Sequence, residues 1–244
     1  MEQLTLIGIG TGSLDHVTLA GIDAMRGVDL VLIPRKGTGK DDLADLRRIL
    51  LATHAPDTPV VEFDMPVRDE TGDYTQRVDD WHDRIAAVWR QAVPPGTRHV
   101  GLLVWGDPSL YDSTLRIAAR LTPRPACRVI PGITALQALT AAHAIPLNTV
   151  NGPVVITTGR QLRDGGWPET AQRVAVMLDG ECSFQTLDPT GVQIWWGAFL
   201  GMDNQMLVAG ALGEVAGDIV QRRANARADH GWIMDTYLLA RATN

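Results

Sequence analysis

Cysteine is almost missing from this chain: Cys127 and Cys182 are the only two in 244 residues. That excludes a disulfide framework and a zinc-ligand spacing, and it fits a reducing cytoplasm. A basic excess is missing too. With 22 Lys and Arg against 28 Asp and Glu the net charge is -6, which argues against a dedicated nucleic-acid binder. No apolar run approaches the length of a membrane span. The N-terminus has neither a basic segment nor a long apolar one; Leu4–Ile9 reads as a strand instead. The expectation is a soluble cytoplasmic protein with no nucleic-acid or membrane partner. The six histidines include no H-x-x-x-H pair, and no G-x-S-x-G elbow is present, so no metal site is expected.

What is present is an alternation of strands and helices. The runs Leu4–Ile9, Leu30–Ile33, Val60–Phe63, Val100–Trp105 and Arg128–Ile130 read as strands. Between them, Thr18–Arg26, Asp41–Thr53, Tyr74–Ala92, Ser113–Leu121 and Thr134–His143 carry helical patterns, with Ser13 or Asp15 able to start the first. Val78, Trp81, Ile85, Val88 and Trp89 share one face of the third. Such alternation implies a mainly parallel sheet covered on both faces. The pattern breaks from Ile145-Pro146 to Gly152-Pro153. This predicts two α/β domains, 1–148 and 149–244. In the second, Val154–Thr158, Arg173–Leu178, Val192–Ala198, Met206–Ala209 and Trp232–Leu239 read as strands and Gly213–Ala228 as a helix, giving a mixed sheet. Trp195-Trp196 and Trp232 suit either an interface or a core.

Two strand-to-loop junctions hold the candidate chemistry: Gly8-Ile9-Gly10-Thr11-Gly12 and Trp105-Gly106-Asp107-Pro108. A dinucleotide loop would need its third glycine at Ser13, and Asp29 precedes its strand rather than ending it, so an NAD reading is poorly supported. Glycines serving tight packing alone would give the same pattern. Gly37-Thr38-Gly39-Lys40 is not a triphosphate loop, because Asp41 follows the lysine. Arg35, Lys36 and Lys40, with Arg47 and Arg48, form one basic cluster; Arg222, Arg223 and Arg227 form another. Either is a solvated face or a reader of a ligand with several carboxylates. Asp41-Asp42 and Asp79-Asp80 are sequence neighbours that do not share a helix face, which suits surface charge.

Taken together, three segments resemble the tetrapyrrole (corrin/porphyrin) methylases: Ile7–Ser13 with Leu14–Leu19, Trp105–Tyr111, and Pro131–Ala135 with Ile145-Pro146-Leu147. The usual Gly-Pro-Gly-Asp-Pro opening is altered here at Thr11 and at Ser13-Leu14, and Trp105 stands where glycine often precedes the G-D-P loop. The resemblance implies a class III methyltransferase: two αβα domains with the cofactor cleft between them, commonly homodimeric. It implies S-adenosylmethionine as donor, S-adenosylhomocysteine as product and a tetrapyrrole as substrate. Pro34–Gly37 with Lys40–Leu43, Met177–Gly180 and His230–Tyr237 look like the branch that methylates precorrin-5 at C1 and releases its acetyl group as acetate, in aerobic cobalamin synthesis.

By the same resemblance, donor contacts fall on Thr11, Trp105, Gly106, Asp107, Leu110, Thr134 and Ala135, with Leu178 and Ala198 from the second domain. Arg35, Lys36 and Lys40 are the expected partners of the substrate's carboxylate arms. Water addition to the acetyl carbonyl would profit from a general base. Asp107 is the first candidate, with loop capping as its competing role; Asp42 and Asp235 are others. The competing functions are methylation of a different tetrapyrrole carbon, an NAD-linked oxidoreductase and a non-catalytic binding module.

Overall fold

The computed structural model describes residues 1–35, 41–68, 71 and 73–241. Packing divides the chain into two units, Met1–Ile133 and Thr134–Asn244.

The first unit runs β1 (Gln3–Gly8), α1 (Leu19–Arg26), β2 (Leu30–Arg35), α2 (Asp41–His54), β3 (Val60–Asp64), α3 (Tyr74–Ala92), β4 (His99–Val104), α4 (Thr114–Ala118) and β5 (Ala126–Ile130). Its sheet has the order β3-β2-β4-β1-β5, and every pairing is parallel. Buried on both faces, the central strands read as continuous apolar runs rather than alternating ones. Leu4, Leu6, Leu32 and Leu102 meet Ile85 and Trp89 of α3 and Ile117 of α4 on one face. Ile7, Val31, Ile33 and Leu103 meet Met25 of α1 and Leu50 of α2 on the other. Each such side chain contributes roughly 1.5–3 kcal/mol relative to exposure.

Helix α1 starts later than Ser13 or Asp15 would set it. Ser13 instead caps a separate 3₁₀ turn, Leu14–His16, and Thr18 caps α1 by accepting from the Gly21 N–H at 3.0 Å.

Strands β1 and β4 are neighbours, yet their connections depart in opposite directions. The chain leaves β1 through α1 for β2, and it leaves β4 through α4 for β5. Helices α1 and α4 cover opposite faces. This is a topological switch point, where open α/β sheets leave a crevice beyond the carboxyl ends of their strands.

The second unit holds α5 (Ala135–Ala142), β6 (Val154–Thr158), α6 (Gly159–Gly165), β7 (Arg173–Met177), β8 (Val192–Ala198), β9 (Met206–Ala211), α7 (Leu212–His230) and β10 (Asp235–Arg241). Its sheet order is β6-β7-β10-β8-β9; β6 and β7 pair in parallel and the rest antiparallel. The unit begins ahead of the composition break at 145–153 because α5 packs on β8 and β10. Helix α6 escapes a periodicity reading: it is seven residues long, flanked by glycine, and buries only Leu162 beyond its first glycine. Trp196 is fully buried, and Trp232 packs edge-on to Phe199 with centroids 5.1 Å apart, so these tryptophans belong to the core. Among the described residues no helix is long and apolar enough to cross a membrane.

Candidate active site

At the carboxyl edge of the first sheet, three loops are bound by their own backbones. The Ile9 N–H donates to the Val104 carbonyl at 2.9 Å, and the Gly106 N–H donates to the Gly10 carbonyl at 2.7 Å. Gly10 and Gly106 thus form a bridge just past β1 and β4. The glycine after β5 closes the cluster. A Cβ on Gly8 would stand 2.6 Å from Gly132 N, and one on Gly132 would strike the Gly106 carbonyl. Gly10 has φ +76° and lies against the Cβ of His16. These glycines are fixed by the protein's own packing. Gly106 differs: its φ is +65°, and nothing stands within 4 Å of where its Cβ would be. The cradle is open there.

Asp107 ties the loops together. Its Oδ1 accepts from the N–H and hydroxyl of Ser109, and its Oδ2 accepts from the Gly132 N–H at 2.8 Å. Burial alone would raise this carboxyl, but the hydrogen bonds from Ser109 and Gly132 outweigh it and hold the group below the usual carboxylate range. A carboxylate so stabilised is a weak proton acceptor, so its geometry favours the capping role over that of a base. Trp105 and Leu110 flank it, both half-buried, and the Leu110 N–H donates to the Asp107 carbonyl at 3.3 Å. Tyr111 follows with φ +50°, an unusual conformation for an aromatic residue, and it is exposed. Buried Thr11 places its Oγ1 3.1 Å from Nδ1 of His16.

The cations divide. Arg35, at the end of β2, is paired across the strand with Asp64 at 3.0 Å and lies 3.9 Å from Glu62. Lys36 and Lys40 lie outside the described residues. Arg48 grips Glu62 at 2.7 Å. Arg47 donates to the Leu103 carbonyl at the end of β4 at 3.0 Å. Burial lowers its guanidinium to about 10, still a cation at neutral pH.

In the second unit, Thr134 caps α5 in a reciprocal box with Gln137, and Ala135 opens the helix. Leu178 and Ala198 come to one edge of the sheet, after β7 and at the end of β8. Between those strands lies β10, whose first residue, Asp235, is in register with Ala198. The two differ sharply. Ala198 is fully buried, with its side chain in the core. Leu178 is 67% exposed at φ +53°, an apolar side chain held in solvent by a strained backbone.

Beneath Leu178 lies a polar network that sequence reasoning did not assemble. Asp179 accepts from Tyr237 Oη at 2.7 Å and from the N–H and hydroxyl of Ser183 at 2.6 and 2.9 Å. Arg223 donates to the Asp179 carbonyl at 2.8 Å and pairs with Asp235 at 2.9 Å. Trp196 Nε1 also donates to Asp235. Burial raises the Asp235 carboxyl despite the opposing pull of Arg223. Arg223 is therefore a core ion pair rather than a solvated or ligand-reading cation, and Asp235 is fully committed. Part of the signal is in the sequence: Met177–Gly180 and His230–Tyr237, two of the segments that carry the resemblance, supply Asp179, Asp235 and Tyr237. The side chain of Asp42 lies outside the described residues. Among those residues no group of three or more His, Cys, Asp or Glu is placed to hold a metal ion.

Comparison with known proteins gives these findings. The family model for Tetrapyrrole (Corrin/Porphyrin) Methylases matches residues 3–216. The chain is 44% identical over 254 residues to a Sinorhizobium sp protein named precorrin-6A synthase (deacetylating), covering 100% of this chain and 97% of that one. A crystal structure of a cobalamin-synthesis-related protein (CobF) from Corynebacterium diphtheriae superimposes with a TM-score of 0.86 at 38% identity, covering 100% of both chains. The uroporphyrin-III C-methyl transferase of Thermus thermophilus, solved with S-adenosyl homocysteine, gives a TM-score of 0.60 at 19% identity over 98% of this chain and 92% of that one, a likeness of fold.

Proposed function

The chain belongs to the tetrapyrrole (corrin/porphyrin) methylases, and from that premise we propose that it methylates precorrin-5 at C1, releases the acetyl group as acetate and so forms precorrin-6A. The observation that carries this reading is the 44% identity, end to end, with a deacetylating precorrin-6A synthase. S-adenosylmethionine is the donor. It supplies an electrophilic methyl carbon on a sulfonium that leaves readily.

The residues fit such a donor. Beyond the switch point, Gly106 leaves open space where any side chain would intrude, with Thr11, Trp105, Asp107 and Leu110 around it. Strand-end N–H and carbonyl groups suit a ribose and an amino-acid moiety, and half-buried Trp105 and Leu110 offer apolar cover. In the second unit Thr134 and Ala135 present a helix start, and Leu178 presents an exposed apolar side chain. Arg35, Lys36 and Lys40 remain our assignment for the substrate's carboxylates. Holding the reactants in line supplies much of the rate: ideal intramolecular models reach ~7–11 kcal/mol. Asp107, in this reading, fixes the cradle and does not move protons. A homodimer in the cytoplasm completes the reading, and light scattering of the purified chain tests the first part.

Incubation with labelled S-adenosylmethionine and precorrin-5 tests the whole. Product mass should show one added methyl group and one lost acetyl group, with acetate free in solution. Methyl uptake without acetate would point to another ring carbon.

A further inference from the structure

Methyl transfer onto an enamine-like carbon needs no base for water, but release of acetate does. Resting on the deacetylating reading above, we propose that His16 is the general base that activates this water, with Thr11 as its positioning residue.

His16 ends the 3₁₀ turn that follows the β1 loop, at the switch-point edge of the first sheet. Its backbone is held by Ser13, whose carbonyl accepts from the His16 N–H at 3.1 Å. Its Cβ is held against Gly10. Its ring is held by Thr11 Oγ1, 3.1 Å from Nδ1, and Thr11 is itself buried. With Nδ1–H donating to that hydroxyl, Nε2 keeps a lone pair that can accept a proton. A nucleophile-activating imidazole oriented through its other nitrogen is the arrangement that water activation requires. A proline at position 11, as in the opening this segment resembles, has no hydroxyl to offer.

Several described acids already have partners, and the side chain of Asp42 lies outside the described residues. Asp107 accepts from Ser109 and Gly132, and Asp112 accepts from the Thr114 N–H at 2.6 Å. Asp64 and Glu62 are paired with Arg35 and Arg48, and Asp235 with Arg223.

The step balances without any further reagent. Water oxygen bonds to the acetyl carbonyl carbon while a water proton passes to Nε2. The bond from that carbon to the macrocycle then breaks, and its electron pair stays on the ring carbon. Acetate leaves. The ring carbon forms its new bond to the methyl group, whose old bonding pair stays with sulfur, and His16 returns its proton to solvent.

The test is His16→Asn in the full chain, because an asparagine amide can keep the Thr11 hydrogen bond but cannot take the proton. Acetate release should fall in kcat by ~10²–10⁴-fold, with S-adenosylhomocysteine affinity by calorimetry within about twofold of the parent. Thr11→Val should lower kcat by a smaller factor, and Thr11→Ser should restore it. His16→Asn releasing acetate at the parent rate overturns the assignment. So does loss of nucleoside affinity in parallel with activity, which would make His16 a structural prop. A parent chain that releases no acetate sinks the deacetylating reading and takes the assignment with it, so the two failures are told apart.

Discussion

The two units hold their strand-end edges together by opposite means. In the first, Gly8, Gly10, Gly106 and Gly132 bring backbone against backbone, and one carboxylate, Asp107, is enough to pin the loops. In the second, the edge beneath Leu178 is pinned by buried side chains, with Asp179, Tyr237, Arg223 and Asp235 sharing protons and charge. The first solution is thin: it leaves space next to main-chain groups, which suits recognition of a polar nucleoside. The second is thick and suits anchoring one exposed residue in a conformation it would not choose. Their acids respond to pH with opposite signs. Asp107 is held low, so its contribution to stability is present above the ordinary carboxylate pKa and is lost as pH falls through that range. Asp235 is held high by burial, so its ionisation opposes folding, and that cost is relieved as pH falls through its folded pKa.

The largest expected effect breaks the backbone solution outright. Gly132→Ala puts a Cβ into the Gly106 carbonyl and within 2.8 Å of the Gly8 carbonyl carbon. Both obstacles are main chain and cannot swing aside. The loss should exceed the ~1–3 kcal/mol of ordinary overpacking, read as a drop in the urea midpoint. Arg223→Met attacks the other solution. It leaves Asp235 buried without its cation, at a cost of ~3–5 kcal/mol. The double variant Arg223→Met, Asp235→Leu should recover most of that loss; if it does not, the pair is not the network's chief term.

Asp107→Asn comes next. The amide can still accept from Ser109 but cannot also accept from the Gly132 N–H, so about 1–3 kcal/mol is expected to be lost. The pH dependence is the sharper readout. The gap between parent and variant should narrow as pH falls below about 4, because the parent then loses the advantage of its ionised carboxylate. A gap that stayed constant to pH 3 would mean that the carboxylate is not the group holding the loops.

Much of this was legible in advance, for identifiable reasons. The first sheet's central strands, β1, β2 and β4, are apolar on both faces, so composition alone delimits them to within a residue or two. Helix α3 was readable because Ile85 and Trp89 recur on one face with other apolar residues over 19 residues. The glycine loops were visible as candidates, but the bridge from Gly10 to Gly106 joins positions far apart in sequence, and no local pattern encodes it. Arg223 was misread for the same reason. Next to Arg222 it looks like surface charge, and only its pairing with Asp235 on β10 makes it core. Arg35 looks free in sequence and is tied to Asp64 only through parallel register. The pairing of His16 with Thr11 is not legible in sequence, because it depends on the turn that brings residues five apart into contact.

The smallest expected effect on stability is the most informative about ligands. Gly106→Ala meets no atom, so its only folding cost is an alanine at φ +65°, roughly 1–2 kcal/mol. Leu178→Gly should go the other way. It relieves the strain at φ +53° and removes a side chain that buries little, so stability should rise slightly or stay level. Neither residue is held by packing: Gly106 is glycine for its positive φ alone, and nothing packs against the exposed side chain of Leu178 strongly enough to require leucine. If S-adenosylhomocysteine lies over the Gly106 cradle, Gly106→Ala should weaken its binding tenfold or more, about 1.4 kcal/mol by calorimetry. If Leu178 is a donor contact, as the resemblance implies, Leu178→Gly should weaken binding without any loss of stability. A pair of variants that shift stability as stated while leaving affinity untouched would mean that open space at one edge and strain at the other serve something else. That outcome would separate the donor assignment from the fold on which it now stands.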